Sequence, residues 1–440
     1  MKTLHADTVF SILNTWVVGD PMQLVPDYKN SHGHYLHDTR TGSDFLDFFS
    51  FFAARPLSFN HPKMRDKDFL ERLTESALIK PSNCDMYSED YARFVEMFVR
   101  VPLGNRFKHV FFVEGGAPAC ENAVKVAMDW KHRKNIAAGR GERGGQIIHF
   151  KQAFHGRTGY AMSMTDSHDI RKTQYFTKFP WPRITNPKMT FPFDAEAEAA
   201  VVALEKQAVS EIEQALAQNP HDIAAIMIEP IQGEGGDNYF RKEFLHTLRR
   251  LCDTHDLLLI FDEVQTGFGG TGAWWDYLHH GVQPDVLVFG KKTQVCGLAA
   301  TTRLDEVDSV FKVKSRISST FAGGLVDMVR CHRVMEIVTE DALIENARAM
   351  GDYMKTMLYD MSATVTSMKA VRGRGLWAAF DLPTQEVRNA FVDACFAEKL
   401  LVLSCGVQTV RLRPALDMDA DAIGRAGAQM LAAFRRVKLI

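Results

Sequence analysis

Five short apolar segments, each followed at once by polar or glycine residues, constrain the fold of this chain more than any other feature. Their residues are apolar almost throughout, which is typical of strands in a parallel sheet that is covered on both faces. The segments are 109–113, 146–150, 224–228, 257–261 and 286–289. Stretches with helical periodicity lie between them, so the sequence predicts a doubly wound α/β domain.

The helices between these strands are indicated by apolar residues at steps of three and four, as in 121–130, where they fall on one face. Further helices are predicted over 195–218 and 242–255. Beyond about residue 327 the pattern predicts a small α+β domain. Its predicted elements are a first helix, a turn and strand over 372–380, a helix over 385–398, and strands over 400–403 and 409–412.

Size, charge and cysteine usage exclude several classes of protein. A chain of 440 residues suggests two or three domains. With 52 Lys and Arg against 54 Asp and Glu, the net charge of −2 gives no support for nucleic-acid binding. No apolar run approaches the ~18 residues of a membrane span, and the start of the chain is not typical of a signal peptide. The seven scattered cysteines form no Cys-x-x-Cys pair, so we expect a cytoplasmic protein without a metal site.

The residues that follow the five predicted strands carry the functional information. Ligands of open α/β sheets bind at the carboxyl ends of the strands, which all meet at one edge. The residues at those ends are Gly115-Gly116-Ala117, Phe154-His155-Gly156-Arg157, 229–236 with Glu234, Asp262 to Gln265, and Gly290-Lys291-Lys292. Because each of the five groups directly follows a predicted strand, together they predict a single site at that edge.

Each group has its own chemistry. Gly116 and Ala117 at a helix start can present backbone N–H groups to a phosphate, although they could also form a plain turn. Asp262 taken alone could be a helix cap. Lys291 at the end of a buried strand is harder to explain structurally, because a desolvated lysine can form a Schiff base, and Lys292 is the alternative. A lysine, a carboxylate, a phosphate cup and an aromatic ring such as Phe154 make up the set that pyridoxal phosphate requires.

Two competing interpretations are weaker. Residues 267–272 fit G-x-G-x-x-G, but 262–266 separate them from the predicted strand and no typical helix start follows. His155 has no partner at metal-ligand spacing, so a hydrogen-bonded structural histidine is the better prediction.

Further motifs extend along the chain. They include Tyr35 to Gly42, Phe59-Asn60-His61-Pro62, Phe154 to Thr158, Glu229 to Gly236, Asp262 to Gly269, Gly290-Lys291 and Arg411 to Leu416. Jointly they resemble the class III, fold-type I pyridoxal-phosphate aminotransferases over nearly the whole chain. Within that class, 80–88, 114–117 and 291–297 are most similar to the branch that moves the ε-amino group of L-lysine.

The resemblance implies a large domain with a mixed, mostly parallel seven-stranded sheet and a smaller α+β domain. We expect residues 1–60 to join the small domain, 61–326 to form the large cofactor-binding domain and 327–440 to form the C-terminal small domain.

The resemblance also assigns the cofactor residues. Lys291 would form the Schiff base with pyridoxal 5'-phosphate and then move the substrate proton, while Asp262 would pair with the pyridine nitrogen. Gln265 would bond the ring hydroxyl, Phe154 would stack on the ring, and Gly116 and Ala117 would hold the phosphate. Thr320 would reach the phosphate of the other protomer, which implies a homodimer with active sites at its interface.

For the substrates, the resemblance implies transfer from L-lysine to 2-oxoglutarate, giving 2-aminoadipate 6-semialdehyde and glutamate. Arg157 would bind a substrate carboxylate through a bidentate fork. Glu234 and Arg411 would form an ion pair that opens to admit the second carboxylate of 2-oxoglutarate. Whether Arg411 or Arg413 pairs with Glu234 stays open.

Two departures from the family pattern bear on the phosphate contact from the partner chain and on the amine donor. The family usually has Thr-Trp/Phe-Gly-Gly-Asn where this chain has Thr320-Phe321-Ala322-Gly323-Gly324-Leu325, and the lysine branch has Asn where this chain has Ser318. An aromatic segment over 48–55, with Arg55, is expected to line the entrance. Ornithine, 4-aminobutyrate or a diamine could replace L-lysine as the donor. A reaction of the aminomutase or epimerase type on the same cofactor, and a non-catalytic scaffold role, also stay open.

Overall fold

The computed structural model describes residues 4–440. The first twelve strands of the described residues are β1 Pro26–His32, β2 Tyr35–Asp38, β3 Ser43–Asp47, β4 His109–Val113, β5 Gln146–Phe150, β6 Arg183–Ile184, β7 Ile223–Ile228, β8 Ile231–Gln232, β9 Asn238–Tyr239, β10 Leu258–Asp262, β11 Val286–Phe289 and β12 Cys296–Ala300. Seven of them form the central sheet, in the order β4-β12-β11-β10-β7-β5-β6.

Helices cover both faces of this sheet, and further helices lie near the two ends of the chain. Their bounds are Val9–Trp16, Lys67–Leu78, Glu89–Arg100, Gly116–Ala137, Gly159–Met164, Ala195–Gln218, Lys242–Thr254, Tyr277–His280, Leu325–Glu340, Leu343–Thr364, Gln385–Ala397 and Ala420–Arg436. The helices predicted over 195–218 and 242–255 are confirmed to within one residue. Among residues 4–440, no helix combines the length and apolar character needed to cross a membrane.

The five predicted strands are confirmed, and the sheet is mixed as the resemblance implied. β12 is antiparallel to both of its neighbours, β4 and β11, while β10 is parallel to β7 and β11. The composition of β12, Cys-Gly-Leu-Ala-Ala, gives little strand signal. Its Gly297 is required by close packing, because a Cβ there would lie 2.2 Å from the Phe111 carbonyl oxygen.

Alternate residues of the central strands feed two cores on opposite faces of the sheet. Leu258 and Ile260 of β10 join a core that includes the buried face of the helix Gly116–Ala137. Leu259 and Phe261 join the larger core on the other face. Complete burial on both faces explains why the strands are apolar throughout, and it leaves only the strand ends for polar chemistry.

The N-terminal and C-terminal parts of the chain share a sheet. The C-terminal strands are β13 Lys369–Arg374, β14 Trp377–Asp381, β15 Leu400–Leu401, β16 Leu403–Cys405 and β17 Thr409–Leu412. One four-stranded sheet has the order β1-β2-β3-β15, in which β3 pairs in parallel with β15 and Leu46 lies opposite Leu400. A second four-stranded sheet has the order β13-β14-β17-β16. The single strand predicted over 400–403 is therefore divided, because β15 and β16 belong to different sheets.

Two local features differ from simple expectations. Residues 267–272 lie in consecutive turns, and a Cβ at Gly267 would lie 2.4 Å from the Trp275 ring, so they form no phosphate loop at a helix start. Residues Ser50 to Ala53 form a left-handed turn with φ values of 44°, 52°, 61° and 68°. Four consecutive residues in this region are costly without glycine, and sequence periodicity gives no sign of them.

Candidate active site

A cavity of about 420 Å³ opens at the carboxyl edge of the central sheet. It is lined by seven of the predicted site residues: Gly116, Ala117, Phe154, Arg157, Asp262, Gln265 and Lys291. The other lining residues include Cys120, His155, Glu229 and Cys296. The structure thus brings residues from all five predicted strand ends together at one cavity.

The two adjacent lysines face different surroundings. Lys291 follows the extended Gly290, has a φ of 54°, and lies at the wall of the cavity. Burial, and secondly the charge of Arg411, lowers the pKa of Lys291, which favours the free amine. Lys292 is fully buried away from the cavity, where its Nζ donates to the Ala53 carbonyl oxygen at 3.0 Å. The geometry therefore selects Lys291 as the amine available to a ligand.

Asp262 ends β10 and is held by three donors. Its Oδ2 lies 2.7 Å from His155 Nδ1 and accepts from Cys120 Sγ at 3.2 Å, and its Oδ1 accepts from the Val264 N–H at 3.0 Å. Burial opposes ionisation, but the hydrogen bond and charge of His155 outweigh it and hold the pKa of Asp262 below its ordinary value. The cavity therefore contains a buried carboxylate that stays negative. His155 is a hydrogen-bonded histidine, as predicted.

Cys120 is a site residue that sequence reasoning missed. It lies one turn after Gly116 on the same helix, and the i, i+4 spacing places both on one face. Burial, then the charge of Asp262, raises the pKa of the Cys120 thiol well above its usual value, so it remains a hydrogen-bond donor. Helical spacing from the glycine turn was the signal that could have identified it.

The start of the helix Gly116–Ala137 also lines the cavity, through Gly116 and Ala117. Gly115 precedes it with a φ of 105°, a conformation that glycine adopts without strain. Gly156 packs against this turn so closely that a Cβ there would lie 2.3 Å from Ala117 Cβ. The first N–H groups of a helix have no acceptor within it, and its dipole favours negative charge, so this end suits an anion.

Glu229 at the end of β7 supports the residues around Phe154. Its Oε1 accepts from the Phe154 N–H at 2.9 Å and its Oε2 from the Gly233 N–H at 3.3 Å. Burial, then the negative charge of Asp262, raises the pKa of Glu229 well above its ordinary value. The sequence predicted that Glu229 lies at a strand end, but it did not indicate that this carboxyl group accepts hydrogen bonds from backbone N–H groups.

The predicted ion pair between Glu234 and Arg411 is not formed in this structure. Arg411 Nη1 instead donates to Gln265 Oε1 at 3.0 Å. Glu234 Oε1 accepts from Lys172 Nζ at 2.7 Å and from Ser167 Oγ at 3.1 Å. Lys172 belongs to no periodic pattern, so no sequence signal pointed to it.

Arg413 is not available as an alternative partner for Glu234. It is fully buried, stacks on the Trp377 ring at 3.6 Å from the ring centroid, and pairs with Asp237 at 2.5 Å. A buried arginine with its own carboxylate partner is costly to separate from it. Of the two arginines, only Arg411 reaches a residue that lines the cavity.

Thr320 lies on the surface, outside the cavity of its own chain. Its carbonyl oxygen accepts from Ser82 Oγ at 2.7 Å, and the Asn83 side chain donates to the Gly323 carbonyl oxygen at 2.9 Å. These two bonds tie the altered loop to the segment 80–88.

A sequence model of the family described as Aminotransferase class-III matches residues 18–434. This chain belongs to the class III aminotransferases. An L-lysine-epsilon aminotransferase from Mycobacterium tuberculosis is 45% identical over 431 residues, which are 97% of this chain and 95% of the relative. An enzyme of the same name from Streptomyces clavuligerus is 43% identical over 427 residues, which are 96% of this chain and 93% of that one.

The structure of this class III aminotransferase is also similar to solved ones. A lysine aminotransferase from M. tuberculosis in the internal aldimine form has 44% identity and a TM-score of 0.96, and the match covers 99% of this chain and 100% of the other. The cofactor of this class is pyridoxal phosphate. The residues present fit that group, because the cavity combines an amine of lowered pKa, a buried negative carboxylate and a helix start suited to a phosphate.

Proposed function

We propose that this enzyme is an L-lysine 6-aminotransferase. It moves the ε-amino group of L-lysine to 2-oxoglutarate and produces 2-aminoadipate 6-semialdehyde and glutamate. The observation that carries the chemistry is the cavity in which the Lys291 amine and the Asp262 carboxylate face the same space. The identity of 45% to an enzyme named for lysine supports the donor.

Pyridoxal phosphate, when bound, supplies an aldehyde carbon that condenses with amines and a ring that takes up the electron pair released when a C–H bond breaks. In our proposal Lys291 binds it and then moves a proton at Nζ, for which its lowered pKa is suited. Asp262 holds a proton on the pyridine nitrogen, because His155 keeps the carboxylate ionised.

The remaining cofactor roles rest on the family resemblance and on the residues that line the cavity. Gly116 and Ala117 would hold the phosphate through backbone N–H groups, and Phe154 would stack on the ring. Gln265 would bond the ring hydroxyl, although in this structure its side-chain oxygen accepts from Arg411.

Three residues are assigned to the substrates, and one of them, Arg157, lines the cavity. Arg157 is exposed at the cavity wall, where it can bind a carboxylate through two parallel hydrogen bonds. Arg411 binds the second carboxylate of 2-oxoglutarate when Glu234 is turned away, and Glu234 neutralises Arg411 when lysine is bound. One pocket thereby accepts two substrates of different charge.

We further propose a cytoplasmic homodimer in which Thr320 of the partner subunit completes each phosphate site. The exposed position of Thr320 supports this assignment. All seven cysteines are free in the described chain, which is consistent with a reducing compartment. The division into segments 1–60, 61–326 and 327–440 remains part of the same proposal.

A half-reaction tests the function. The holoenzyme is mixed with L-lysine in the absence of any 2-oxo acid, and the visible absorbance band of the bound cofactor is followed while aldehyde is trapped. We expect the band to bleach and a lysine-derived aldehyde or cyclic imine to form. L-Norleucine, which lacks the ε-amine, is the matched control and should release no such product.

A different outcome would replace this proposal by a specific function. A band that persists with lysine but bleaches with ornithine, 4-aminobutyrate or a diamine would keep the aminotransferase and reject lysine. Isomerised product without a 2-oxo acid would indicate an aminomutase or epimerase. A folded protein that develops no visible band with pyridoxal phosphate would indicate a non-catalytic role.

A further inference from the structure

Glu234 has two candidate cationic partners, Lys172 and Arg411, and in this structure Lys172 is the one that pairs with it. Lys172 Nζ lies 2.7 Å from Glu234 Oε1, and both side chains are shielded, with 29% and 16% of their surfaces exposed. Ser167 adds a second donor to the same oxygen at 3.1 Å. Within residues 4–440, Glu234 Oε2 and Arg411 Nε are both buried without a hydrogen-bond partner. Gln265, whose Oε1 accepts from Arg411, packs against Gly233 directly beside Glu234, so the two charged groups share a neighbour.

The backbone around Glu234 is fixed, so any exchange must occur in the side chain. The Glu234 carbonyl oxygen accepts from the Gly406 N–H at 2.8 Å. A Cβ at Gly233 would lie 2.4 Å from Gln265 Oε1, and one at Gly235 would lie 2.2 Å from the Gln152 carbonyl oxygen. Such close packing leaves rotation about the side-chain bonds of Glu234 as the available movement.

We propose that Lys172 is a positioning residue for substrate choice: it holds Glu234 away from Arg411 and thereby keeps Arg411 open for the second carboxylate of a dicarboxylate substrate. The inference rests on the proposed function, which assigns that carboxylate to Arg411 and the neutralising partner of Arg411 to Glu234. Lys172 acts through Glu234 and is not one of the residues that line the cavity. Without Lys172, Glu234 turns to Arg411 for its cationic partner, and the open state becomes a minority.

A ligand that binds only the open state has an apparent Kd equal to its intrinsic Kd divided by the fraction of open molecules. Removal of Lys172 should therefore weaken dicarboxylates selectively. Ligands with a single carboxylate, which do not need Arg411, should bind as before or more tightly. This selectivity distinguishes the proposed role from a general structural one.

The test compares the holoenzyme with its Lys172→Met, Lys172→Arg and Arg171→Met variants by isothermal titration calorimetry. The probes are glutarate, with two carboxylates, and hexanoate, with one carboxylate and no amine. We expect Lys172→Met to raise the Kd of glutarate by about five- to tenfold, the lower range of coupling between sites, and to leave that of hexanoate unchanged. Lys172→Arg should retain glutarate binding, because it retains the charge.

Arg171 is the matched control. It is the neighbouring residue, its side chain is 82% exposed, and it pairs with Asp169 rather than with Glu234. Arg171→Met should change neither Kd. In steady-state kinetics Lys172→Met should raise KM for 2-oxoglutarate and leave the rate of the lysine half-reaction unaltered.

An unchanged glutarate Kd, or equal weakening of glutarate and hexanoate, would overturn the proposal. Neither probe requires an amine donor, so the comparison is readable even if L-lysine proves not to be the substrate. Failure of wild-type enzyme in the lysine half-reaction would overturn the proposed function instead.

Discussion

At the residue scale, the adjacent residues Lys291 and Lys292 have the same side chain, but different surroundings give them different roles. Lys291 faces the cavity, whereas Lys292 donates to a backbone carbonyl oxygen. We expect Lys291→Ala to lower the single-turnover rate with L-lysine by more than about 10³-fold, because it removes both the attachment point and the proton carrier. Lys292→Met should retain most of that rate. Comparable loss in both variants would contradict the assignment.

Lys292 also makes stability depend on pH. Burial, and then the charge of Arg413, lowers the pKa of Lys292 to about 7. Between that pH and the ordinary lysine pKa, the unfolded chain binds a proton that the folded one does not, so stability rises with pH by up to about 1.4 kcal/mol per unit. Below about pH 7 Lys292 is protonated in both the folded and the unfolded chain, so it no longer makes the free energy of unfolding depend on pH.

Urea denaturation of wild type and Lys292→Met, at one protein concentration and a series of pH values, measures this effect. The free energy of unfolding of wild type, minus that of Lys292→Met, should increase between pH 7.5 and 9. Parallel pH curves for the two proteins would show that Lys292 keeps an ordinary pKa.

At the element scale, the strand ends could be predicted because burial leaves a strong signal. Complete burial makes a strand apolar throughout, and the change to polar residues marks its carboxyl end, as at Asp262. The left-handed turn from Ser50 to Ala53 had no such signal, since its conformation is imposed by tertiary contacts. The Lys292 and Gln294 side chains donate to the Ala53 and Ala54 carbonyl oxygens at 3.0 and 2.8 Å. Lys172 was missed for a related reason, because its role depends on a partner far away in sequence.

In this turn we expect a glycine variant to be more stable than an alanine variant, which is the reverse of the usual order. Phe52 has a φ of 61° and its side chain is 53% exposed. Phe52→Ala and Phe52→Gly remove the same ring, so their difference reports the backbone. We expect the glycine variant to be more stable by about 1 kcal/mol, because alanine is strained in the left-handed region.

An ordinary helix provides the control for the Phe52 pair. Lys206 is exposed within the helix Ala195–Gln218. There Lys206→Ala should be more stable than Lys206→Gly by about 1 kcal/mol, following helix propensity. Thermal unfolding of the four variants gives both differences. The same order at both sites would argue against a left-handed turn at Phe52.

At the scale of the whole molecule, the separation between Lys291 and Thr320 matters most. Lys291 lies in the cavity of its own chain, whereas Thr320 is on the surface outside it. If each site takes Lys291 from one subunit and Thr320 from the other, two inactive variants should complement each other. Lys291→Ala removes the reacting amine, and Thr320→Glu places a negative charge where the phosphate is proposed to bind.

If the protein is the proposed homodimer, co-expression with two affinity tags allows the mixed dimer to be isolated from both parental dimers. In the mixed dimer, one site combines the intact Lys291 of the Thr320→Glu chain with the intact Thr320 of the Lys291→Ala chain, and the other site has neither. We expect about half of the wild-type activity per dimer, against almost none for each parent, because closed two-fold symmetry makes the two sites equivalent. If Thr320 served its own chain, every site in the mixed dimer would carry one defect and activity would stay at the parental level.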